Sequence, residues 1–367
     1  MFSRDELPRT VLVMTVAALL GIGAVMTFST TSRGDGPLIS PSFLKQLLYV
    51  AIGVSCAAWF AVRGNYRVLL RMNWVVFGAA VLLLIGVLIP GLGHYANGAW
   101  RWYRIGPVSF QPSEFGKLAL IVCLAGFLGS TTRDMRSFAR TLVPALCCMA
   151  VICALVLKEP DIGTTALLGL VSCLLIFLSG VRLLFLLAPL PALVPLALHI
   201  LNTPYARTRI EIWLNPWKDP LGAGYHIIQS LIAIGSGGTW GVGLGASTQK
   251  LYFLPEASSD FIFAILAEES GLVGATLVML LYVAFIWAGI AIARRAPDKG
   301  AFLLASGITS LIALQAAINI AVVTKALPTK GIPLPFISAG GSSAVFMLIG
   351  VGILYNIARS SESPATN

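Results

Sequence analysis

Residues 253–275 read FLPEASSDFIFAILAEESGLVGA, a stretch that changes from polar to apolar within a few residues. Glu256 and Asp260 precede an apolar run, which Glu268 and Glu269 interrupt before it continues to about residue 293. A run of this length can cross a bilayer, since a spanning helix needs about 20 apolar residues. An ionisable group in hydrocarbon costs at least about 2.5 kcal/mol on insertion scales. The stretch therefore predicts a membrane helix whose carboxylates either bond inside the protein or take part in chemistry.

The composition of the whole chain indicates an integral membrane protein. Of 367 residues, 57% are hydrophobic and 11% charged, and the mean hydropathy is +0.87, whereas a soluble domain carries about 25% charged residues. The net charge of +10 does not indicate nucleic acid binding, because few charges interrupt the long apolar runs. A membrane surface or an anionic lipid substrate explains the excess better. The six cysteines lie inside apolar runs, which predicts small apolar side chains rather than disulfides or metal ligands.

Ten apolar segments are each long enough to cross a bilayer, which predicts an all-α polytopic membrane protein with ten transmembrane helices. Basic residues collect in the short loops on one side, which we expect to be cytoplasmic together with both termini. We expect one integral membrane domain over 1–367, whose first segment is an uncleaved helix. The expected spans are 10–29, 43–62, 69–89, 114–130, 141–157, 162–180, 182–201, 260–293, 300–323 and 334–357.

Two segments are expected outside the membrane on the other face, at 90–113 and at 202–259. The second, between spans seven and eight, is rich in Gly, Trp, Tyr and Pro, and a loop of this length is unusual unless it is functional. We expect it to fold back on the membrane surface. The seventh span carries Pro189, Pro191 and Pro195, so it is expected to be kinked, either as a movable gate or as a merely distorted helix.

Three ionisable side chains are candidates for a functional site. Glu114 and Lys117 lie three residues apart in the fourth span, so they share one helix face and can pair. Glu114 alone would suit the first turn of a helix, but Lys117 would oppose the helix dipole, and a pair lining a polar cavity explains both. Asp260 is expected at the outer interface beside Phe261 and Phe263, where it could act as a general base. The alternative for Asp260 is an N-cap of the eighth helix.

Basic residues on the expected outer side form a second group of candidates. Arg101 and Arg104 lie among aromatic residues in NGAWRWYRIG (97–106), a pattern typical of an interfacial segment that contacts lipid headgroups. Lys250 and Lys330 are also expected outside. A phosphate-bearing ligand would explain this charge, and so would anionic lipid of the outer leaflet. Glycine runs at 236–247 and 338–343 permit close approach of the backbone to another group.

These motifs together resemble the shape, elongation, division and sporulation (SEDS) family, whose members include FtsW, SpoVE and RodA. The resemblance covers nearly the whole chain. The residues of its motifs are more similar to the FtsW and SpoVE branch than to RodA. The matching stretches are NGAWRWYRIGPVSFQPSEFGKLAL (97–120), KEPDIGTTALL (158–168), GYHIIQSLIAIGSGGTWGVGLGASTQKLYFLPEASSDFIFAILAEESGLVG (224–274) and LPTKGIPLPFISAGGSS (327–343).

The resemblance implies an inverting peptidoglycan glycosyltransferase of the bacterial cytoplasmic membrane. Its substrate would be lipid II, the undecaprenyl-diphosphate-linked disaccharide pentapeptide. The family pattern PEAHTDFIF reads PEASSDFIF here, which implies that Asp260 is the catalytic aspartate. Glu114 and Lys117 match the Glu and Lys of the family's fourth span, and we expect them to bind substrate.

This sequence departs from the family pattern at three positions. Ser258 and Ser259 stand where the family has His-Thr, and Ala339 stands where the family has Tyr. Because Asp260 itself is retained, the departures leave the implied reaction unchanged. They put in question only the surroundings of Asp260 within the site.

The resemblance also implies a ligand environment and partners. Arg101, Arg104, Lys250 and Lys330 would bind the substrate and neutralise the leaving diphosphate, together with a divalent cation (Mg²⁺ or Mn²⁺) and without a dedicated metal site. A class B penicillin-binding protein would supply crosslinking, alongside other division or elongation membrane proteins. Two other functions stay open, a lipid II flippase and a non-catalytic scaffold for the penicillin-binding protein. A transporter would place several charges near the midplane, whereas the charges here collect toward the outer face.

Overall fold

The computed structural model of the protein describes residues 6–31, 39–96, 98–106, 108–130, 138–181, 202, 204–251 and 254–362. Within these ranges the chain is mostly helical, with one small antiparallel sheet. The helices are α1 (Leu7–Thr31), α2 (Pro41–Val62), α3 (Tyr66–Arg71), α4 (Asn73–Val87), α5 (Pro112–Leu128), α6 (Val143–Lys158), α7 (Ile162–Leu178), α8 (Pro204–Leu214), α9 (Tyr225–Gly237), α10 (Ile262–Arg294), α11 (Lys299–Val323) and α12 (Ser342–Glu362). The strands are β1 (His94–Ala96), β2 (Ala99–Ile105) and β3 (Val108–Phe110), in the order β1-β2-β3.

The long apolar helices confirm a multi-pass membrane protein. Among the described residues, six helices are long and apolar enough to cross a bilayer, namely α1, α2, α6 with the turn before it, α10, α11 and α12. The shorter apolar helices α4, α5 and α7 fall on three more of the expected spans. The seventh expected span, 182–201, with its three prolines, lies outside the described residues.

The prediction of an all-α fold is wrong in one segment, because 94–110 forms the three-stranded sheet. In this sheet Tyr95 pairs with Trp100, and Arg104 pairs with Ser109. The segment AWRWYRI is rich in aromatic residues, which favour strands. The sheet packs against α4 and α5, where the Tyr103 hydroxyl donates to the Leu83 carbonyl over 2.9 Å.

Two expected spans have different bounds in the structure. The third, expected at 69–89, is divided at Met72 into α3 and α4. The tenth, expected from 334, begins as a helix only at Ser342. Residues 334–341 instead form a buried turn that carries Pro335 and two glycines. This turn lies so close to α1 that a Cβ on Gly23 would stand 2.5 Å from the Phe336 carbonyl oxygen.

Helix α5 lies at the centre of the bundle. Apart from Phe115 and Gly126, every residue of α5 is buried, against α4, α6, α7 and α11. The buried pair Glu114 and Lys117 in the first turn of α5 therefore faces protein rather than lipid.

Helix α10 is kinked at Gly271, two residues after its adjacent glutamates. At Gly271 the backbone adopts φ 65° and ψ −164°, a conformation suited to glycine. The glycine-rich segment 238–243 lies against this break, where Val242 N donates to the Glu268 carbonyl over 3.0 Å and Leu272 N donates to the Gly238 carbonyl over 2.9 Å. The kink thus leaves its backbone groups satisfied. The close approach predicted for this glycine run is to α10.

The side chains of Glu268 and Glu269 bond within the protein. Glu268 accepts hydrogen bonds from Ser247 Oγ and, over 3.1 Å, from Thr248 N. Glu269 Oε1 accepts from Ser29 Oγ of α1 over 2.6 Å and pairs with Lys250 Nζ at 2.9 Å. The two carboxylates therefore fasten the loop that precedes α10 to α10 and α1.

The large segment 202–259 is more regular than its sequence suggests. Helices α8 and α9 lie within it, joined through a 3-10 turn at Pro216–Lys218. Helix α9 packs on α10, and Trp213 of α8 donates to the Lys325 carbonyl over 3.0 Å. These contacts place α9 beside α10 and α8 beside the end of α11.

Candidate active site

A cavity of about 680 Å³ opens where six segments meet in front of α10. Its walls come from β2, from the start of α7, from α8 and α9, and from the segments on either side of Asp260 and Lys330. The lining residues are Arg101, Pro160, Asp161, Ile162, Gly163, Thr208, Arg209, Ile212, Ala223, His226, Glu256, Asp260, Phe261, Thr329, Lys330 and Gly331. Charged side chains of both signs thus share one cavity, which is large enough for sugar and phosphate groups.

Asp260 lies in the turn that precedes α10, and its side chain is partly buried in the cavity wall. The N-cap position of α10 is Phe261, which makes no side-chain capping bond, so the alternative in which Asp260 caps this helix is wrong. Burial raises the pKa of Asp260 to about 7, and the nearby Glu256 and Asp161 carboxyls act in the same direction. A carboxyl with this pKa is suited to take up a proton near neutral pH.

The segment that carries Asp260 is held through its backbone. Asn319 Nδ2 of α11 donates to the Asp260 carbonyl over 2.8 Å and to the Ile332 carbonyl over 2.7 Å. Ser338 Oγ donates to the Ser259 carbonyl over 2.6 Å, and Ala339 N donates to the Ser258 carbonyl over 2.9 Å. The three departures from the family pattern therefore lie together, in one contact between two loops.

Lys330 and Arg101 supply positive charge to the same cavity. Burial lowers the pKa of Lys330, and the neighbouring Arg209 guanidinium also lowers it. Arg101 projects from β2 and donates to the Glu159 and Pro160 carbonyls, the second over 3.0 Å. Two of the predicted basic residues thus meet Asp260 in one cavity.

The other two basic residues predicted for substrate binding do not line this cavity. Arg104 is exposed on β2. Lys250 is buried, where its Nζ pairs with Glu269 and donates to Ser29 Oγ over 2.8 Å and to the Gly245 carbonyl over 2.7 Å. Its contacts are those of a structural ion pair.

Glu114 and Lys117 also lie outside the cavity, inside the bundle. Lys117 Nζ is 2.8 Å from Glu114 Oε2 and donates to Gln315 Oε1 over 3.0 Å. Gln315 Nε2 in turn donates to the Pro333 carbonyl over 3.0 Å. The predicted pairing on one helix face is confirmed, and Gln315 connects the pair to the loop beside Asp260.

Among the polar residues that were not predicted from the sequence, Asp161 and His226 line the cavity, and Glu159 lies buried next to Pro160 of the cavity wall. Asp161 is the N-cap of α7, where it accepts from Thr164 N over 2.9 Å. His226 stacks on Phe261 with ring centroids 5.9 Å apart, and burial lowers the pKa of this imidazole. Glu159 is fully buried, and neither carboxylate oxygen has a hydrogen-bond partner among the described residues. In the sequence, the pattern that could have indicated Asp161, His226 and Glu159 is a polar residue at the end of an apolar run.

Burial raises the pKa of Glu159 to about 8, with Asp161 acting in the same direction and Arg101 in the opposite one. Glu159 is therefore largely neutral at pH 7, so it can lie buried without a partner at a lower cost than a carboxylate would incur.

The donor groups at the cavity do not form a ready metal site. Among the described residues, no group of three His, Cys, Asp or Glu side chains converges on one point. The cysteines are free thiols, with Cys123 and Cys148 buried side by side at 3.9 Å.

Comparisons with known proteins give the family. The sequence profile described as cell cycle protein, FtsW/RodA/SpoVE, matches residues 9–363. The chain is 42% identical to stage V sporulation protein E of Bacillus subtilis over 366 residues, which cover 99% of this chain and 100% of that protein. It is 41% identical to the probable peptidoglycan glycosyltransferase FtsW of Thioalkalivibrio sulfidiphilus over 363 residues, which cover 95% and 89%.

Solved structures agree with this result. A chain from a study of the structural coordination of polymerization and crosslinking by a peptidoglycan synthase complex has a TM-score of 0.79 and 29% identity, with 96% of this chain and 98% of that chain covered. The rod shape determining protein RodA of Thermus thermophilus has a TM-score of 0.70 and 26% identity, with 96% and 97% covered. With the profile and these relatives spanning nearly its whole length, the chain belongs to the FtsW/RodA/SpoVE family.

Proposed function

We propose that the chain is a peptidoglycan glycosyltransferase that polymerises lipid II into glycan strands at the outer face of the bacterial cytoplasmic membrane. The observation that carries the proposal is the cavity of about 680 Å³ that holds Asp260 together with Arg101 and Lys330. Relatives named peptidoglycan glycosyltransferase, similar over nearly the whole chain, support the same activity.

The membrane topology that we propose is the one expected from the apolar segments and the basic loops of the sequence. Ten spans would place both termini in the cytoplasm and the segment 202–259 outside, within one membrane domain over 1–367. The basic residues of the short loops support this orientation. In this orientation the cavity faces outward, where lipid II displays its headgroup.

In the proposed reaction Asp260 is the general base. The sugar 4-hydroxyl oxygen of the acceptor lipid II attacks the anomeric carbon of the donor chain, and its proton passes to the Asp260 carboxylate. As the new carbon–oxygen bond forms, the bond from the anomeric carbon to the lipid diphosphate breaks. Its electron pair leaves on the diphosphate oxygen, and the single displacement inverts the anomeric centre. The raised pKa of Asp260, about 7, allows the proton to return to water before the next cycle.

Positive side chains would neutralise the diphosphate as it leaves. Lys330 and Arg101 line the cavity, and charge-assisted hydrogen bonds from such groups to phosphate are stronger than neutral ones. A divalent cation, Mg²⁺ or Mn²⁺, would arrive with the diphosphate, because the described residues do not converge on a metal site of their own. No step above depends on that cation.

We also propose a class B penicillin-binding protein as the partner that crosslinks the strands, with other division or elongation membrane proteins nearby. The similarity to a chain of a peptidoglycan synthase complex supports this. The name of the Bacillus subtilis relative, stage V sporulation protein E, favours sporulation. The family description, cell cycle protein, favours division.

Transport and a purely structural role are supported less well. The void beside Glu114 and Lys117 measures about 10 Å³, which is about the space that a single water needs. A sugar headgroup cannot pass there in this conformation. A scaffold would not need a partly buried aspartate with a raised pKa in an open cavity.

The test is polymerisation of purified lipid II by the protein in complex with its penicillin-binding protein, whose transpeptidase serine is blocked. Asp260→Asn keeps the size of the side chain but removes the base, and we expect at least a 100-fold loss of glycan strands. Glu211→Gln is the matched control, since Glu211 is exposed on α8 and pairs with Lys218 in an exposed ion pair. This control should polymerise within twofold of wild type.

Each outcome decides between the functions. Polymer from wild type and from Glu211→Gln but not from Asp260→Asn supports the enzyme with Asp260 as its base. Equal polymer from all three removes Asp260 from the reaction. No polymer from any of them, with the complex intact and a second polymerase active in the same assay, favours transport or a scaffold.

A further inference from the structure

Asp260 receives its orientation from its backbone. Within the described residues no side chain or backbone group donates a hydrogen bond to the Asp260 carboxylate, while its carbonyl oxygen accepts from Asn319 Nδ2 at 2.8 Å. The direction in which the carboxylate points therefore depends on where this carbonyl, and so the peptide, is held.

Asn319 holds two walls of the cavity at once. Its second Nδ2 hydrogen goes to the Ile332 carbonyl at 2.7 Å, and the side chain is 2% exposed. Ile332 follows Gly331, whose Cα lies so close to the acid that a Cβ there would stand 2.8 Å from Asp260 Oδ2. One amide group thus sets the distance between the acid and the segment that carries Lys330.

We propose that Asn319 is the positioning residue of the glycosyltransferase site, which fixes the Asp260 carboxylate relative to the Lys330–Gly331 wall. This inference rests on the proposed function, because it gives Asp260 the part of the base. Asn319 touches no substrate and acts only through Asp260 and Ile332.

The two loops have other connections, so loss of Asn319 should displace the acid without releasing the loops. Ser338 Oγ donates to the Ser259 carbonyl over 2.6 Å and accepts from Leu334 N over 2.7 Å. Gln315 holds the Pro333 carbonyl at 3.0 Å from one turn earlier in α11. A shift of about 1 Å in a catalytic group costs roughly 100-fold in rate, so a partial shift is measurable.

Asn319→Ala removes both hydrogen bonds, and Asn319→Leu removes the paired donors while keeping a branched side chain and adding no charge. The matched control is Asn356→Ala. Asn356 is also buried and makes two such bonds, from its Nδ2 to the Gly64 carbonyl at 2.8 Å and from Tyr66 N to its Oδ1 at 3.2 Å. These bonds join α12 to the connection between α2 and α3, apart from the cavity residues.

The assay is lipid II polymerisation by the complex, with kcat and KM measured across pH 5.5 to 9 and Tm measured for each variant. We expect both Asn319 variants to lose at least 10-fold in kcat with KM within threefold. We also expect the acid limb of the kcat–pH profile to move to lower pH, because a displaced Asp260 carboxylate becomes more exposed to water and its pKa falls. Asn356→Ala should lower Tm by a similar amount and keep kcat within twofold and the limb in place.

Equal kcat for Asn319→Ala and Asn356→Ala, or an unmoved acid limb, would overturn the inference. If Asn319→Ala does not accumulate, Asn319→Leu gives the answer by the same criteria. Asp260→Asn in the same series separates the two ideas. An inactive Asp260→Asn beside a fully active Asn319→Ala removes this inference alone, whereas an active Asp260→Asn removes the base and the positioning role together.

Discussion

Substitution of Gly331 by alanine tests whether the place of the Asp260 carboxylate controls the reaction. A Cβ at residue 331 would lie 2.8 Å from Asp260 Oδ2 and 3.7 Å from its Cγ. Ordinary contacts of a Cβ begin at 3.4 Å, so the carboxylate must move by the difference, about 0.6 Å. The φ of Gly331 is not in the left-handed region, so alanine fits the backbone.

The expected effect is on activity rather than on folding. The obstacle is the end of one side chain, which can rotate away, and a rotation of about 30° costs about 0.5–1.5 kcal/mol. Since a 1 Å misplacement costs roughly 100-fold in rate, a shift of about 0.6 Å should lower kcat roughly 10-fold. KM should stay within about threefold, because one methyl group takes little of a cavity of about 680 Å³.

The assay is the same polymerisation, with Tm measured beside it. Gly235→Ala is the control, since Gly235 lies on the exposed face of α9 and a Cβ there meets nothing within 4 Å. It should keep wild-type kcat and gain up to about 1 kcal/mol of helix stability. Wild-type kcat in Gly331→Ala would refute the reasoning. So would a raised KM at constant kcat, because the methyl group would then obstruct substrate rather than move the acid.

Two further predictions concern charge. Asp260, as the proposed base, must be ionised to accept a proton. Since burial raises its pKa to about 7, initial rates should fall about 10-fold per pH unit below pH 6 and level off above pH 7.5. A rate that is flat down to pH 5 would contradict this. Lys250→Ala should destabilise the protein by about 3–5 kcal/mol because it leaves Glu269 buried without its partner, whereas Lys218→Ala, which breaks an exposed pair, should change stability by less than about 1 kcal/mol. Thermal denaturation of both variants checks this, and equal losses would show that Lys250 does not stabilise the interior.

The spans could be predicted from the sequence because the length and apolarity of a helix are local properties. The contacts of Glu268 and Glu269 could not, since their partners lie elsewhere in the chain, at Ser29, Ser247 and Lys250. The charge of Lys250 suggested an external phosphate ligand, but charge alone does not tell whether a lysine faces solvent or a buried glutamate.

The candidate site was predictable to the same limited extent. Asp260, Arg101 and Lys330 come from three distant stretches that share one cavity, and each was found through motif resemblance or charge. Asn319 and Gln315 were missed because an amide inside an apolar helix has no local pattern that marks its partner. The sheet at 94–110 was missed because its mixture of arginine and aromatic residues also suits an interfacial segment.

The manner in which Asp260 is held is itself an argument for its part in the reaction. A donor bonded to its carboxylate would favour the ionised form and lower the pKa, and would also occupy the oxygen that must receive the substrate proton. A base with a pKa near 7 therefore needs support that leaves its oxygens free. Asn319 and Ser338 meet this requirement, since they bond to the carbonyls of Asp260 and Ser259. The carboxylate stays available to a hydroxyl that enters the cavity.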